Sequence, residues 1–527
     1  MTAAPYVLLC APVLYECPTS LTVLSPHLLA VSTYRLAELA MHRALLIDEV
    51  LQLIFDHCAS LPFTESRRTF CQLARCCKAW KEPALDRLWA RIDSPAPLLR
   101  LLPCVDEQDM PASDSDSVFI AYASRVKEIT YRDVQKLSSV DSLEMVLPRL
   151  QAVTISHGGC FVPNAWKFSI HLKHLSIDTG LLHDHRRVEA EKCNSAEELF
   201  QRIHVSSLRS LRFRGQLTPA LSGMLASFTQ LTTLTLRSLL MDCELLAAIA
   251  TFPHLRSLTM SAIGVDHEDL EHALAQVNGP CFSALESLDL GGSVVALQVV
   301  LKYLPENKLT KFRMEADCYR HGTVSLERFL EQLVQKTSKS LRELTIQDLT
   351  DHYWLEPQMR TQMPSEWFGL SLLRSLAACK ELRKLELTLM VPPMVSDTDV
   401  EILGKWWPHL EDLNLGTYDM SYLPHDWQFL MTPAVFEVVA KHLPRLRQLT
   451  LPVRPTDLLA SDGRPAPGES KLQHKTLRAL AIGDVPDAGA CASELVQAIL
   501  AIFPSLDTLD CSSQEITEQF SVSTGST

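Results

Sequence analysis

The chain has 527 residues, 47% of them hydrophobic, and a formal net charge of −13. That length allows one large or several ordinary domains, and such acidity without a basic run argues against general binding of a nucleic-acid backbone. Its 15 cysteines are odd in number, form no Cys-x-x-Cys and mostly sit in apolar runs, as at Cys71, Cys243 and Cys379, which excludes a disulfide framework and suits a reduced, intracellular protein, cytoplasmic or nuclear.

No stretch offers 18 uninterrupted apolar residues, so no membrane span is expected. Residues 1–41 are apolar but lack a basic start, and Pro5, Pro12, Pro18 and Pro26 break every helical run. They are expected to be a disordered leader or an extension of the gene model, with Met41 a candidate translation start. Residues 42–92 read as three short helices. Ile47, Val50, Leu51, Ile54, Phe55 and Cys58 share one helical face, and Asp48 and Glu49 stand in its first turn, where negative charge suits the helix dipole. Phe70, Leu73, Ala74 and Cys77 form a second face, and a third helix is expected over Pro83–Trp89 with Pro83 at its first position. So small a core is marginal alone.

The ordered set Leu46-Ile47-Asp48-Glu49-Val50-Leu51, then Ile54-Phe55, then Leu73, Cys77 and Trp80, then Leu88-Trp89 resembles an F-box. Ile47 stands where that motif usually has Pro, and Lys78 where Arg is common. The resemblance implies docking onto a Skp-family adaptor and through it a cullin. The adaptor-binding residues it implies are Leu46, Ile47, Val50, Leu51, Ile54, Phe55, Trp80, Leu88 and Trp89.

Residues 93–119 read as a linker, acidic and Ser-rich over Cys104–Ser117. Over 120–512 the signature apolar-x-x-apolar-x-apolar occurs fourteen times, from Val126-Ile129-Tyr131 to Leu506-Leu509-Cys511, with starts 22 to 41 residues apart. Its last two positions alternate as a short strand requires. Helices are expected between strands, at Asp266–Val277, Ser325–Lys336 and Thr432–Leu443, the last with Thr432 as N-cap. Pro148, Pro253, Pro408, Pro444 and Pro504 each stand two residues before a strand's first Leu. The pattern resembles a leucine-rich repeat, and the whole is expected to be an α/β chain: a three-helix F-box followed by a solenoid with parallel strands. The repeat family's usual Asn slot instead holds Gln216, Leu239, Ile263, Ser293 and Tyr418. The polar tail 513–527 is expected to be disordered.

Two insertions carry aromatics: Tyr353, Trp354, Trp367 and Phe368 in one, Tyr418, Tyr422 and Trp427 in the other. These either meet a target protein or fold back over strand edges, and they are the candidate target-binding residues. His267 and His272 stand five apart, too far around a helix to share one ion easily. Gly291-Gly292-Ser293 lacks the flanking residues of a nucleophile elbow or phosphate loop. No catalytic residue, metal site or cofactor is expected, and no nucleic-acid or membrane partner. The expected role is the substrate-recognition subunit of an SCF-type cullin–RING ubiquitin ligase, with an unknown protein target. The alternative is a repeat scaffold that binds protein with no ligase link.

Overall fold

The structure is a computed structural model. It describes residues 47–101, 115–131, 147–156, 171–180, 196–197, 200–201, 206–238, 241–316, 322–348, 369–389, 393–416, 430–432, 434–453, 473–483, 492–511 and 513–524. The chain divides between Leu88 and Trp89 into two compact units.

The first unit is built from α1 (Asp48–Ala59), α2 (Phe63–Cys76) and α3 (Lys78–Ala90) up to Leu88. Its core is Leu51, Phe55, Phe70 and Ala84, with Ile54, Cys58, Leu73, Ala74, Trp80 and Leu88 packed around it. Phe55 makes edge contacts to Phe70 at 5.9 Å and Trp80 at 6.3 Å between ring centroids, and Arg87 bonds Gln52 and Asp56 across from α3 to α1. The third helix begins at Lys78 instead of Pro83, and Pro83 lies inside it. The break falls one residue earlier, at Cys77, whose extended backbone (φ −159°, ψ 166°) ends α2.

The second unit is an α/β solenoid of the leucine-rich-repeat type. Among the described residues, fifteen strands, β1 to β15 in chain order, form one parallel sheet in which each pairs only with its sequence neighbours. They run from β1 (Arg91–Ile92) and β2 (Glu128–Tyr131) through β3 (Ala152–Ser156), β4 (His174–Asp178), β5 (Ser210–Arg214), β6 (Thr233–Arg237), β7 (Ser257–Ala262), β8 (Ser287–Gly292) and β9 (Lys311–Ala316). The others are β10 (Glu343–Asp348), β11 (Lys384–Thr388), β12 (Asp412–Asn414), β13 (Gln448–Leu451), β14 (Ala479–Ile482) and β15 (Thr508–Asp510).

All fourteen signatures are strands, stacked in one register: Leu344 faces Phe312 on one side and Leu385 on the other. A fifteenth was missed. Ile92 pairs with Ile129, so Trp89 occupies the signature's first slot and Ser94 its last. The solenoid therefore starts near residue 89, and the described parts of the expected linker belong to it: Leu98 on α4 (Ala96–Leu99) and Phe119 on α5 (Ser115–Ala123) are buried in the sheet's core.

The backbone before each strand explains the prolines. Leu150, Leu410, Leu446 and Leu506 each donate their N–H to the carbonyl three residues back, on Leu147, Trp407, Leu443 and Phe503. Proline is thus the second residue of a tight turn, where its fixed φ fits, and the buried residue before it anchors the turn. Side chains then tie neighbouring repeats. The Trp407 indole N–H donates to the Leu376 carbonyl at 3.1 Å, and buried His474 accepts from the Leu477 N–H and donates to the Leu443 carbonyl.

Further helices follow the strands: α6 (Pro219–Ala226), α7 (Cys243–Ala250), α8 (His267–Ala275), α9 (Val294–Tyr303), α10 (Gly322–Thr337), α11 (Leu370–Leu373), α12 (Asp397–Trp406), α13 (Val435–His442), α14 (Ala492–Ile502) and α15 (Gln514–Thr524). Asp266 caps α8 by accepting from the Glu268 and Asp269 N–H groups. Helix α13 starts at Val435, later than expected, although the Thr432 hydroxyl accepts from the Ala434 N–H as an N-cap does, while the Thr432 N–H and hydroxyl donate to the Asp397 carboxylate. The tail is not disordered over 514–524. Helix α15 buries Ile516 and Phe520 against the last repeat and closes the core at that end.

Candidate functional site

Two surfaces could meet partners, one on each unit. On the first unit, α1 is apolar over an arc of about 200° at 100° per residue. Its own core uses only one side of that arc. Leu51 and Phe55 are 4% and 0% exposed, whereas Val50 and Ile54 are half-buried and Ile47 and Leu53 are 48% and 70% exposed. The exposed flank therefore runs through Ile47, Val50, Ile54 and Leu53.

This divides the residues that the F-box resemblance implied. Leu51 and Phe55 are core and have no surface to offer a partner. Trp80 and Leu88 pack beside that core. Trp89 belongs to the second unit, where its ring lies 4.7 Å from Tyr122 and against the repeat core. Leu46 lies outside the described residues. Leu53 was not among the expected contacts because it falls off the 3–4 spacing that defines the buried stripe. Its signal was a surplus apolar residue beyond that stripe.

On the second unit, the site is the open face of the sheet. Strand residues alternate: the signature positions point into the core, and the residues between them face out. Outward residues on β8 to β12 form a mixed-charge ladder. Lys311 pairs with Glu343 at 2.7 Å, and Lys384 with Glu386 at 3.0 Å and Asp412 at 3.3 Å. Arg313 holds Glu315 at 2.6 Å and Gln347 at 2.8 Å, and lies 3.9 Å from Asp289.

Burial pushes the Asp289 and Asp412 carboxyls above their ordinary values, against the pull of Arg313 and Lys384. For Lys384 burial acts downward, but the bonds and charges of Glu386 and Asp412 outweigh it and the amine is raised. A notch of about 210 Å³ opens over Ser261 and Gly291, between Arg237 and the Asp289–Glu315 pair, with exposed Ile263 at its rim.

The target-binding candidates Tyr353, Trp354, Trp367, Phe368, Tyr418, Tyr422 and Trp427 all lie outside the described residues. So do residues 1–46. Among the described residues no group of three or more His, Cys, Asp or Glu could hold a metal ion, and no helix is long and apolar enough to cross a membrane. His267 and His272 are both exposed on α8, and Ser293 caps α9.

No protein-family model matches this chain, and no curated protein matches it. Among solved structures, a chain from the crystal structure of a Rad7 and Elc1 complex in yeast aligns over 78% of this chain and 98% of its own length, at 14% identity and a TM-score of 0.37. That likeness is too distant to bear on function.

Proposed function

We propose that this chain is the substrate-recognition subunit of an SCF-type cullin–RING ubiquitin ligase. The three-helix unit docks a Skp-family adaptor, and the repeats hold a target protein. The chain acts by positioning: two binding sites on one chain raise the local concentration of the target near the transfer machinery. It performs no chemistry itself.

The observation that supports this reading best is the exposed apolar flank of α1 beside a core already closed by Leu51, Phe55 and Phe70. A leucine that is 70% exposed on a unit this small is a surface that a partner can dry. Burying Ile47 and Leu53 against an adaptor contributes about 3 kcal/mol in all. Ile47→Asp with Leu53→Asp is therefore expected to weaken capture of the purified adaptor about a hundredfold. Both side chains are exposed, so circular dichroism and the melting midpoint stay unchanged. Undiminished capture by the folded double variant counts against the reading.

A second reading is the repeat scaffold without a ligase link. It is favoured by the internal use of Leu51, Phe55 and Trp89, three of the residues the F-box resemblance assigns to docking. In that case the purified adaptor is not captured by the unaltered chain.

A further inference from the structure

The open face of the sheet changes character along its length. From β8 to β12 bases and acids pair. On β5 and β6 bases outnumber acids: Arg212, Arg214 and Arg237 all face outward. Arg214 is the register partner of Arg237, which sets their backbones one strand spacing apart, about 4.8 Å, and like charges placed directly opposite repel. Asp178, 3.3 Å from Arg214, relieves one charge. Arg212 and Arg237 have no ion pair among the described residues.

The frame under these arginines is fixed. The Thr179 N–H and hydroxyl both donate to the Arg214 carbonyl, at 2.8 and 3.2 Å, and the Gly215 N–H donates to the Arg237 carbonyl at 3.0 Å. The Gly180 N–H holds the Asp178 carboxylate at 2.9 Å. Gly215 has to be glycine: its φ is +156°, and a Cβ there would lie 1.9 Å from the Thr179 hydroxyl.

The charge continues along the edge where these strands begin. Lys173, Arg209 and Arg256 are exposed there, each one residue beyond its signature's first apolar position. A cleft of about 320 Å³ lies between Arg209 and Arg256. Arg256 is shared with Glu286 at 3.6 Å. In a chain of net charge −13, β4 to β7 thus present a local positive excess.

We propose that this face docks an extended Asp/Glu-rich segment of a partner protein, its carboxylates bonded to Arg212, Arg214 and Arg237. The proposal rests on the reading that the repeats hold the target, and it gives that target a chemistry. Arg212, Arg214 and Arg237 lie on β5 and β6, and with Lys173, Arg209 and Arg256 at the strand starts the cations are spread from β4 to β7, about 14 Å, and do not converge on one point. A single compact dianion satisfies only one end of such a row. Carboxylates spaced along four or five extended residues, at about 3.3 Å each, span it. Arginine's planar fork takes a carboxylate with two parallel bonds. The notch beside Arg237, rimmed by Ile263, receives an apolar neighbour in the same segment.

The test uses the full chain at low ionic strength with four fluorescein-labelled probes. These are a ten-residue peptide alternating Glu and Gly, its Lys/Gly counterpart, a Gly/Ser peptide with one phosphoserine, and a ten-nucleotide oligothymidine. The expected result is tightest binding of the Glu peptide, weakening as salt rises. Arg212→Ala with Arg237→Ala reduces it about tenfold or more at an unchanged melting midpoint. No binding of the Glu peptide, binding indifferent to the two substitutions, or equal binding of the phosphoserine peptide or the oligonucleotide overturns the proposal. Adaptor capture is scored separately. Failure of the peptide assay with capture intact sinks this proposal alone, and failure of capture with peptide binding intact sinks the adaptor reading alone.

Discussion

Asp289 carries a cost that a neutral residue would avoid. Its side chain is 24% exposed and burial raises its carboxyl, with Arg313 offsetting only part. The folded state therefore binds the Asp289 proton more tightly than the unfolded chain does. The stability it contributes falls as pH rises from the ordinary aspartate value, about 4, to the raised one, and is level above that. Asp289→Asn removes this dependence. The variant's melting midpoint is expected to gain on the unaltered protein across that window and then hold a constant lead, since Arg313 keeps Glu315 and Gln347. A lead that shrinks with rising pH would reverse the sign and refute the account. Individual partners such as Arg313 and Asp289 were not legible in the sequence, because residues 24 apart become neighbours only through the strand register. Leu51 and Phe55 were legible as apolar, but spacing alone does not say whether an apolar residue faces its own core or a partner.

Elements were the most legible scale. The outward and inward positions of β2 to β15 follow from a six-residue pattern, because side-chain period two leaves no freedom once one face is buried. Thr432 was legible as a cap, and its hydroxyl does accept the Ala434 N–H, but its bonds to Asp397 across the repeats were not. One helix contact was not readable at all. A Cβ on Gly404 of α12 would sit 2.7 Å from the His442 carbonyl oxygen and 2.9 Å from its Cβ on α13. The two helices approach through the missing side chain. Gly404→Ala is expected to cost about 2 kcal/mol or more by overpacking, despite alanine's better helix propensity. Chemical denaturation measures it, and an alanine variant as stable as the parent would mean that the helices part freely.

The molecule's boundaries were the least legible feature. Composition suggested a linker and a loose tail, yet the described residues of both belong to the repeat unit: Trp89 fills the first slot of an unrecognised repeat, and Ile516 and Phe520 pack on the last strand's core. Polar residues on a capping helix mimic the composition of a disordered segment, since only two side chains need be apolar to seal the end. Each contributes about 2 kcal/mol by burial. Ending the chain at residue 512 is expected to raise hydrogen exchange in β14 and β15 while leaving β7 to β9 protected, because each repeat leans mainly on its neighbours. Equal loss of protection at both places would show a single cooperative block instead.

The uniform register has one more consequence. Every strand presents the same inward grip to the next, so a whole repeat copied or excised leaves joints that still match. What changes is which outward residues become adjacent: removing the repeat of β7 would bring Arg237 beside Gly291 and Arg212 nearer Arg313. Such a chain can exchange cassettes and revise the surface it presents while its manner of folding stays the same.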